Sequence, residues 1–215
     1  MGYQRSELTH FLIDLDDTIY PPDKPVWSLI EGRIHSYLTD VVGVPAHEAF
    51  PLRERLYTTY GTTLRGLQIE YSIDINHYND YIHNVSYAGL LEPDYELQEV
   101  LKSISQEKWI FTNASVKHAE SILSSLELQD QFVGIIDVVA TSPWCKPYPE
   151  AFHIALALCG NLDPTRCLFI DDRIPNLDTA ADLGFKTALV STEESSPRHP
   201  AISRLALLND LLEAI

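Results

Sequence analysis

Phe11-Leu12-Ile13-Asp14-Leu15-Asp16-Asp17-Thr18 is the stretch that decides the fold. Its three leading apolar residues, with polar neighbours on both sides, read as a short buried β-strand. Asp14 and Asp16 then sit two residues apart at the carboxyl end of that strand. Such a pair can do chemistry: one carboxylate attacks an electrophile while the other handles a proton. A surface turn or an acidic helix cap would use the same residues, so the rest of the chain has to carry the decision.

Working outward, Ile19-Tyr20-Pro21-Pro22 is a turn. Val26, Leu29, Ile30, Ile34 and Leu38 follow at helical spacing. Pro45 suits the first turn of a second helix that runs through Ala49, Leu52, Leu56 and Tyr57. A tyrosine-rich third helical stretch covers about 71–85, and no strand is expected between 26 and 90. After Leu91-Glu92-Pro93-Asp94 the pattern becomes alternating. Helices are predicted at about 95–105, 116–126, 149–158 and 175–183, with a terminal one at 205–212. Strands are predicted at 109–111, 135–139, 167–170 and 186–190, and 191–200 reads as a polar loop. Alternation of this kind builds a parallel sheet with helices on both faces. The expectation is therefore an α/β core from residues 1–20 and 90–215, with an all-helical cap, 21–89, inserted after strand one.

Functional groups in a parallel sheet collect at the carboxyl ends of the strands. Besides Asp14 and Asp16, these ends offer Thr112-Asn113, Cys145-Lys146-Pro147 and Asp171-Asp172, with Asn176 shortly after. If the strand order reverses beside strand one, Asp14 and Asp172 face each other. Converging carboxylates repel unless a cation holds them, and hard oxygen ligands favour Mg²⁺. A hydroxyl, an amide and an ammonium around that ion suit the oxygens of a phosphoryl group.

Asp14-x-Asp16-x-Thr18, Thr112, Lys146 and Asp171-Asp172, in this order and spacing, resemble the four motifs of the haloacid dehalogenase-like superfamily. The resemblance spans nearly the whole chain. It implies a Rossmann-like core with strand order 3-2-1-4-5 and phosphomonoester hydrolysis through an aspartyl phosphate. It also implies roles. Asp14 is the nucleophile and Asp16 the general acid and base. Thr112, Asn113 and Lys146 bind phosphate. Asp14, Asp16 (through its carbonyl), Asp171 and Asp172 form the Mg²⁺ set, Asp171 either directly or in support, and Asn176 orients a metal-bound water. Tyr60-Gly61, Leu64-Arg65-Gly66-Leu67, Tyr78-Asn79, Lys108 to Ala114 and His118-Ala119 are similar, more narrowly, to the pyrimidine 5′-nucleotidase branch. That likeness implies UMP or CMP as substrate and gives Arg65 a substrate or domain-closure role. Tyr71 stands where the branch usually has His, His83-Asn84 replaces an acidic pair, and Arg173 replaces Ser. Sugar phosphates, phosphoglycolate, lysophosphatidate, a phosphomutase and a non-catalytic phospho-ligand binder are the alternative readings.

Composition bounds the partners. A chain of 215 residues with 45% hydrophobic and 21% charged residues is long enough for one large domain plus an insertion. Its net charge of −16 argues against nucleic acid or an anionic membrane as partner. The partner is expected to be a small phosphomonoester, with the protein a cytoplasmic monomer or homodimer. No stretch approaches the roughly 18 apolar residues of a membrane span. Cys145, Cys159 and Cys167 fit no metal spacing and read as reduced thiols. The eight histidines show no ligand spacing and read as scattered surface or partly buried residues. Met1-Gly2 with Ser6 fits a myristoylation pattern with no second membrane signal beside it.

Overall fold

A computed structural model describes residues 7–87, 89–193 and 195–213; the Met1-Gly2 pattern lies outside them. Its centre is a parallel sheet of β1 (His10–Ile13), β2 (Glu107–Phe111), β3 (Gly134–Ile136), β4 (Cys167–Asp171), β5 (Lys186–Val190) and β6 (Ala201–Ile202) in the order 3-2-1-4-5-6. The 3-2-1-4-5 order expected from sequence is present. The sixth strand is an addition: two residues following the polar loop pair with Leu189 and Val190. Between the strands lie α1 (Val26–Asp40), α2 (Ala46–Tyr60), α3 (Thr63–Tyr71), α4 (Ile75–Ile82), α5 (Tyr95–Ser103), α6 (Val116–Ser125), α7 (Val138–Thr141), α8 (Pro149–Leu158) and α9 (Ile174–Asp182), and α10 (Leu208–Glu213) closes the chain.

Strand alternation divides the core in two. Phe11, Ile13, Leu168, Ile170, Ala188 and Val190 face one layer, together with Leu97 and Leu101 of α5 and Ile122 of α6. Leu12, Phe169 and Leu189 face the other, with Phe152 of α8 and Leu177 of α9. Because both faces are covered, the strands are apolar in consecutive positions. The first layer continues into the inserted helices through Ile30, Ile34, Leu38 and Leu56.

Local signals set the helix starts. Thr62, Asp74, Asp94, Ser115 and Asp137 each accept a main-chain N–H two or three residues into the helix that follows. Asp137 explains a correction. The expected strand 135–139 stops at Ile136, because Asp137 caps α7 through Ala140 N–H. The helix α3, unassigned as a separate element from sequence, packs so closely on α2 that a Cβ at Gly66 would lie 2.7 Å from Leu56 Cδ2. Gly61, at φ +84°, turns the chain where the inserted helices meet the core, and a Cβ there would lie 3.2 Å from Pro147 Cδ. Among the described residues no helix is long and apolar enough to cross a membrane.

Candidate active site

The register of β1 between β2 and β4 brings three strand ends to one place. Asp14 N–H still bonds Ile170 O at 2.8 Å, and Thr112 N–H bonds Ile136 O at 3.0 Å, so the reactive residues are extensions of the sheet. They line a cavity of about 400 Å³ that holds Asp14, Asp16, Thr112, Asn113, Lys146, Asp172 and Asn176 together. The opposite wall comes from the inserted helices, with Ile30, Ile34, Leu64, Tyr57, Tyr78 and Asn79. Asn79 is buried, and its Nδ2 has no hydrogen-bond partner among the described residues.

Lys146 is the anchor. Its ammonium is fully buried and donates to Asp14 Oδ1 at 2.6 Å and Asp171 Oδ2 at 2.7 Å. It also lies over the Phe111 and Phe169 rings, 5.2 and 5.3 Å from their centroids. Burial alone would lower the pKa of this ammonium; the two carboxylates outweigh burial and raise it above the ordinary lysine value. Asn113 fixes Lys146 from behind: its Nδ2 donates to Lys146 O and its Oδ1 accepts from Lys146 N–H, both at 2.9 Å. Asn113 thus lines the cavity while its amide is spent on positioning the lysine.

Asp171 accepts from Lys146, from Asn176 Nδ2 at 3.0 Å on both oxygens, and from Arg173 N–H at 2.8 Å. Asn176 therefore orients Asp171. Oxygens of Asp14, Asp171 and Asp172 lie within 4.8 Å of one another. Burial, above all, pushes Asp14 up to about 7, although Lys146 pulls the other way; burial and the negative neighbours Asp14 and Asp171 push Asp172 up to about 8. Three hard oxygen donors this close together, two of them with ionisation penalised by burial and by negative neighbours, are a donor set that a divalent cation would satisfy. Asp17, in the left-handed region at φ 58°, is raised to about 6 by burial and by Asp16.

Asp16 is held on a different side. Tyr20 O–H donates to its Oδ1 at 2.5 Å, and His118 Nε2 lies 2.7 Å from the same oxygen. Burial would raise Asp16, but His118 and Tyr20 outweigh it and hold the carboxyl below the usual range. His118 corrects the expectation of scattered histidines. It is buried at 1% exposure, as is His199. His83 stacks on it at 4.6 Å, and burial and the neighbouring His118 lower His83 to about 3. His118-Ala119 is one of the segments carrying the narrower family resemblance, but that likeness gives His118 no role, and nothing in the sequence marks its meeting with Asp16.

Arg65 stands apart. It does not line the cavity; its guanidinium donates to Pro143 O and lies 4.3 Å from the Trp144 and Tyr148 ring centroids. The contact joins α3 to the loop that carries Lys146.

Comparison with known proteins adds the lineage. The family model for haloacid dehalogenase-like hydrolases matches residues 8–184. Phosphate metabolism protein 8 of Saccharomyces cerevisiae is 27% identical over 225 residues, covering 94% of this chain and 70% of that protein. The N-acetylmuramic acid 6-phosphate phosphatase of Pseudomonas aeruginosa is 32% identical over 121 residues, spanning 52% of each chain. Among solved structures, a HAD phosphatase from Thermococcus onnurineus has a TM-score of 0.61 at 20% identity, covering 95% of this chain and 98% of that one. At that identity the likeness speaks for the fold.

Proposed function

The chain belongs to the haloacid dehalogenase-like hydrolases, and on that premise we propose that it is a Mg²⁺-dependent phosphomonoesterase acting on a pyrimidine nucleoside 5′-monophosphate. The observation that carries the chemistry is the buried ammonium of Lys146 bridging Asp14 and Asp171, with Asp16 lining the same cavity. In this reading residues 1–20 and 90–215 form the catalytic core and 21–89 the cap.

Asp14 attacks phosphorus, and its new O–P bond replaces the ester bond. Asp16 delivers a proton to the departing oxygen, then takes one from the water that hydrolyses the aspartyl phosphate. Lys146 neutralises phosphoryl oxygens, and the Thr112 hydroxyl offers them a donor. Lys146 is held for this by Asn113 and Asp171, and Asp171 by Asn176. Asp14 and Asp172 would hold Mg²⁺, assisted by Asp171; the bound ion supplies charge neutralisation for the transferring phosphoryl group.

The substrate assignment is supported by the far wall. Ile30, Ile34, Leu64, Tyr57 and Tyr78 of that wall, with Arg53 and Glu54 beside them and one buried, unpartnered amide donor on Asn79, suit a planar group bearing a carbonyl oxygen. The Pseudomonas relative acts, by its name, on a sugar phosphate, and a sugar phosphate is the second reading. Phosphate release from UMP, CMP, AMP, GMP, phosphoglycolate, sugar phosphates and lysophosphatidate, with Mg²⁺ and with EDTA, tests both. Preference for UMP and CMP, lost in EDTA, is the expected result. Preference for sugar phosphates would replace the substrate, and turnover of none would overturn the phosphatase reading.

A further inference from the structure

We propose that His118 is the positioning residue for the general acid: it fixes which oxygen of Asp16 carries the proton. The proposal rests on the phosphatase reading above. His118 sits on α6, 102 positions from Asp16 in sequence, with its ring wholly buried. Its Nε2 meets Asp16 Oδ1 at 2.7 Å and its Nδ1 meets the Tyr87 hydroxyl, Oη, at 2.6 Å. The ring is also stacked on His83 and met edge-on by Tyr87 at 5.3 Å and 73°.

The partners assign the hydrogens. An ionised Asp16 can only accept, so Nε2 carries the hydrogen toward it. In the neutral ring Nδ1 is then the acceptor, and Tyr87 O–H donates to it. Burial keeps that phenol protonated. Tyr20 O–H brings a second hydrogen to Asp16 Oδ1 at 2.5 Å. With two donors on Oδ1, a proton on Asp16, a residue that lines the cavity, resides on Oδ2.

The step balances. As the Asp14 oxygen forms its bond to phosphorus, the P–O ester bond breaks with its electron pair on the leaving oxygen. That oxygen takes the proton from Asp16 Oδ2, and Asp16 is left ionised. Without His118 the carboxyl rotates, its proton is shared between two oxygens, and delivery fails more often. The loss must depend on the leaving group: an alkoxide needs the proton, whereas p-nitrophenolate departs without it.

His118→Phe keeps the ring's bulk and removes both nitrogens; His118→Gln returns a donor close to the position of Nε2. Tyr87→Phe leaves His118 in place and breaks only the outer bond. For each, kcat/KM is measured on p-nitrophenyl phosphate and on the alkyl ester of the panel that the wild type turns over fastest, with circular dichroism as the check on folding. The expected result for His118→Phe is a loss on the order of 10²-fold on the alkyl ester and less than about threefold on p-nitrophenyl phosphate. His118→Gln should recover most of the loss, and Tyr87→Phe should show the same selectivity in smaller measure. Equal losses on both esters, or no loss on either, would overturn the positioning role while leaving the phosphatase reading intact. If His118→Phe does not fold, Tyr87→Phe decides by the same criterion. A wild type that hydrolyses neither ester brings down both.

Discussion

Replacing Lys146 with Met isolates the charge at the centre of the site. Methionine keeps an unbranched stem of similar length between Phe111 and Phe169, so packing against those rings survives. The ammonium that donates to Asp14 at 2.6 Å and Asp171 at 2.7 Å is lost. Two buried carboxylates then face each other uncompensated, and removing one partner of a buried pair costs about 3–5 kcal/mol. At roughly 2–4 °C per kcal/mol for a chain of this size, the melting temperature should fall by on the order of 10 °C. The sign with pH is fixed. Asp14 already has its folded pKa raised from 3.8 to about 7, so a proton bound there stabilises the folded state at low pH and that stability is lost as pH rises through about 7. The gap between wild type and variant should therefore be widest near pH 8 and narrow toward pH 5. Thermal unfolding followed by far-ultraviolet circular dichroism in EDTA measures it. A gap under about 3 °C at pH 8, or one that widens as pH falls, would refute the view that Lys146 is the charge partner of both carboxylates.

Further outcomes test the surrounding residues. Asp14→Asn should lower phosphate release by at least about 10³-fold while the protein still unfolds cooperatively; retained turnover would remove Asp14 as nucleophile. In EDTA, wild-type stability should fall between about pH 4 and pH 8, the window set by Asp14 near 7 and Asp172 near 8 against 3.8 unfolded; added Mg²⁺ should raise the melting temperature more at pH 8 than at pH 5. Asn79→Leu should leave stability unchanged or improve it by about 1–3 kcal/mol, since it removes a buried unpartnered amide. Its kcat/KM should drop about tenfold or more on UMP and little on p-nitrophenyl phosphate; equal effects on the two would place Asn79 outside substrate recognition. Arg65→Ala should destabilise by about 1–2 kcal/mol through loss of the Trp144, Tyr148 and Pro143 contacts, read as a melt a few degrees lower, with p-nitrophenyl phosphate turnover within about threefold of wild type.

The parallel sheet was legible in the sequence because each strand is an apolar run that ends in a polar, chemically distinctive residue, and because strands alternate with helices that carry their own caps. The clustering of Asp14, Thr112, Lys146 and Asp171 at the strand ends follows from that topology. What could not be read is how the side chains spend their hydrogen bonds. Asn113 is a candidate phosphate donor in sequence, and only folding brings both ends of its amide to the main chain of Lys146. His118 has the spacing of any buried residue on an amphipathic helix, and its partner lies 102 positions away in sequence. The strand expected at 135–139 was overextended because β-branched residues on both sides of Asp137 hide the cap. The last strand pair was missed because two residues are too few to show alternation.

Asp137 joins the starts of two helices. One oxygen accepts from Ala140 N–H at the start of α7, and the other accepts from Val116 N–H at the start of α6, both at 2.9 Å. A single carboxylate at the sheet's outer edge thus sets the origin from which both helices are measured, and His118 is counted off from one of them. The edge strand contributes nothing to the cavity, yet it acts as a surveyor's benchmark for it.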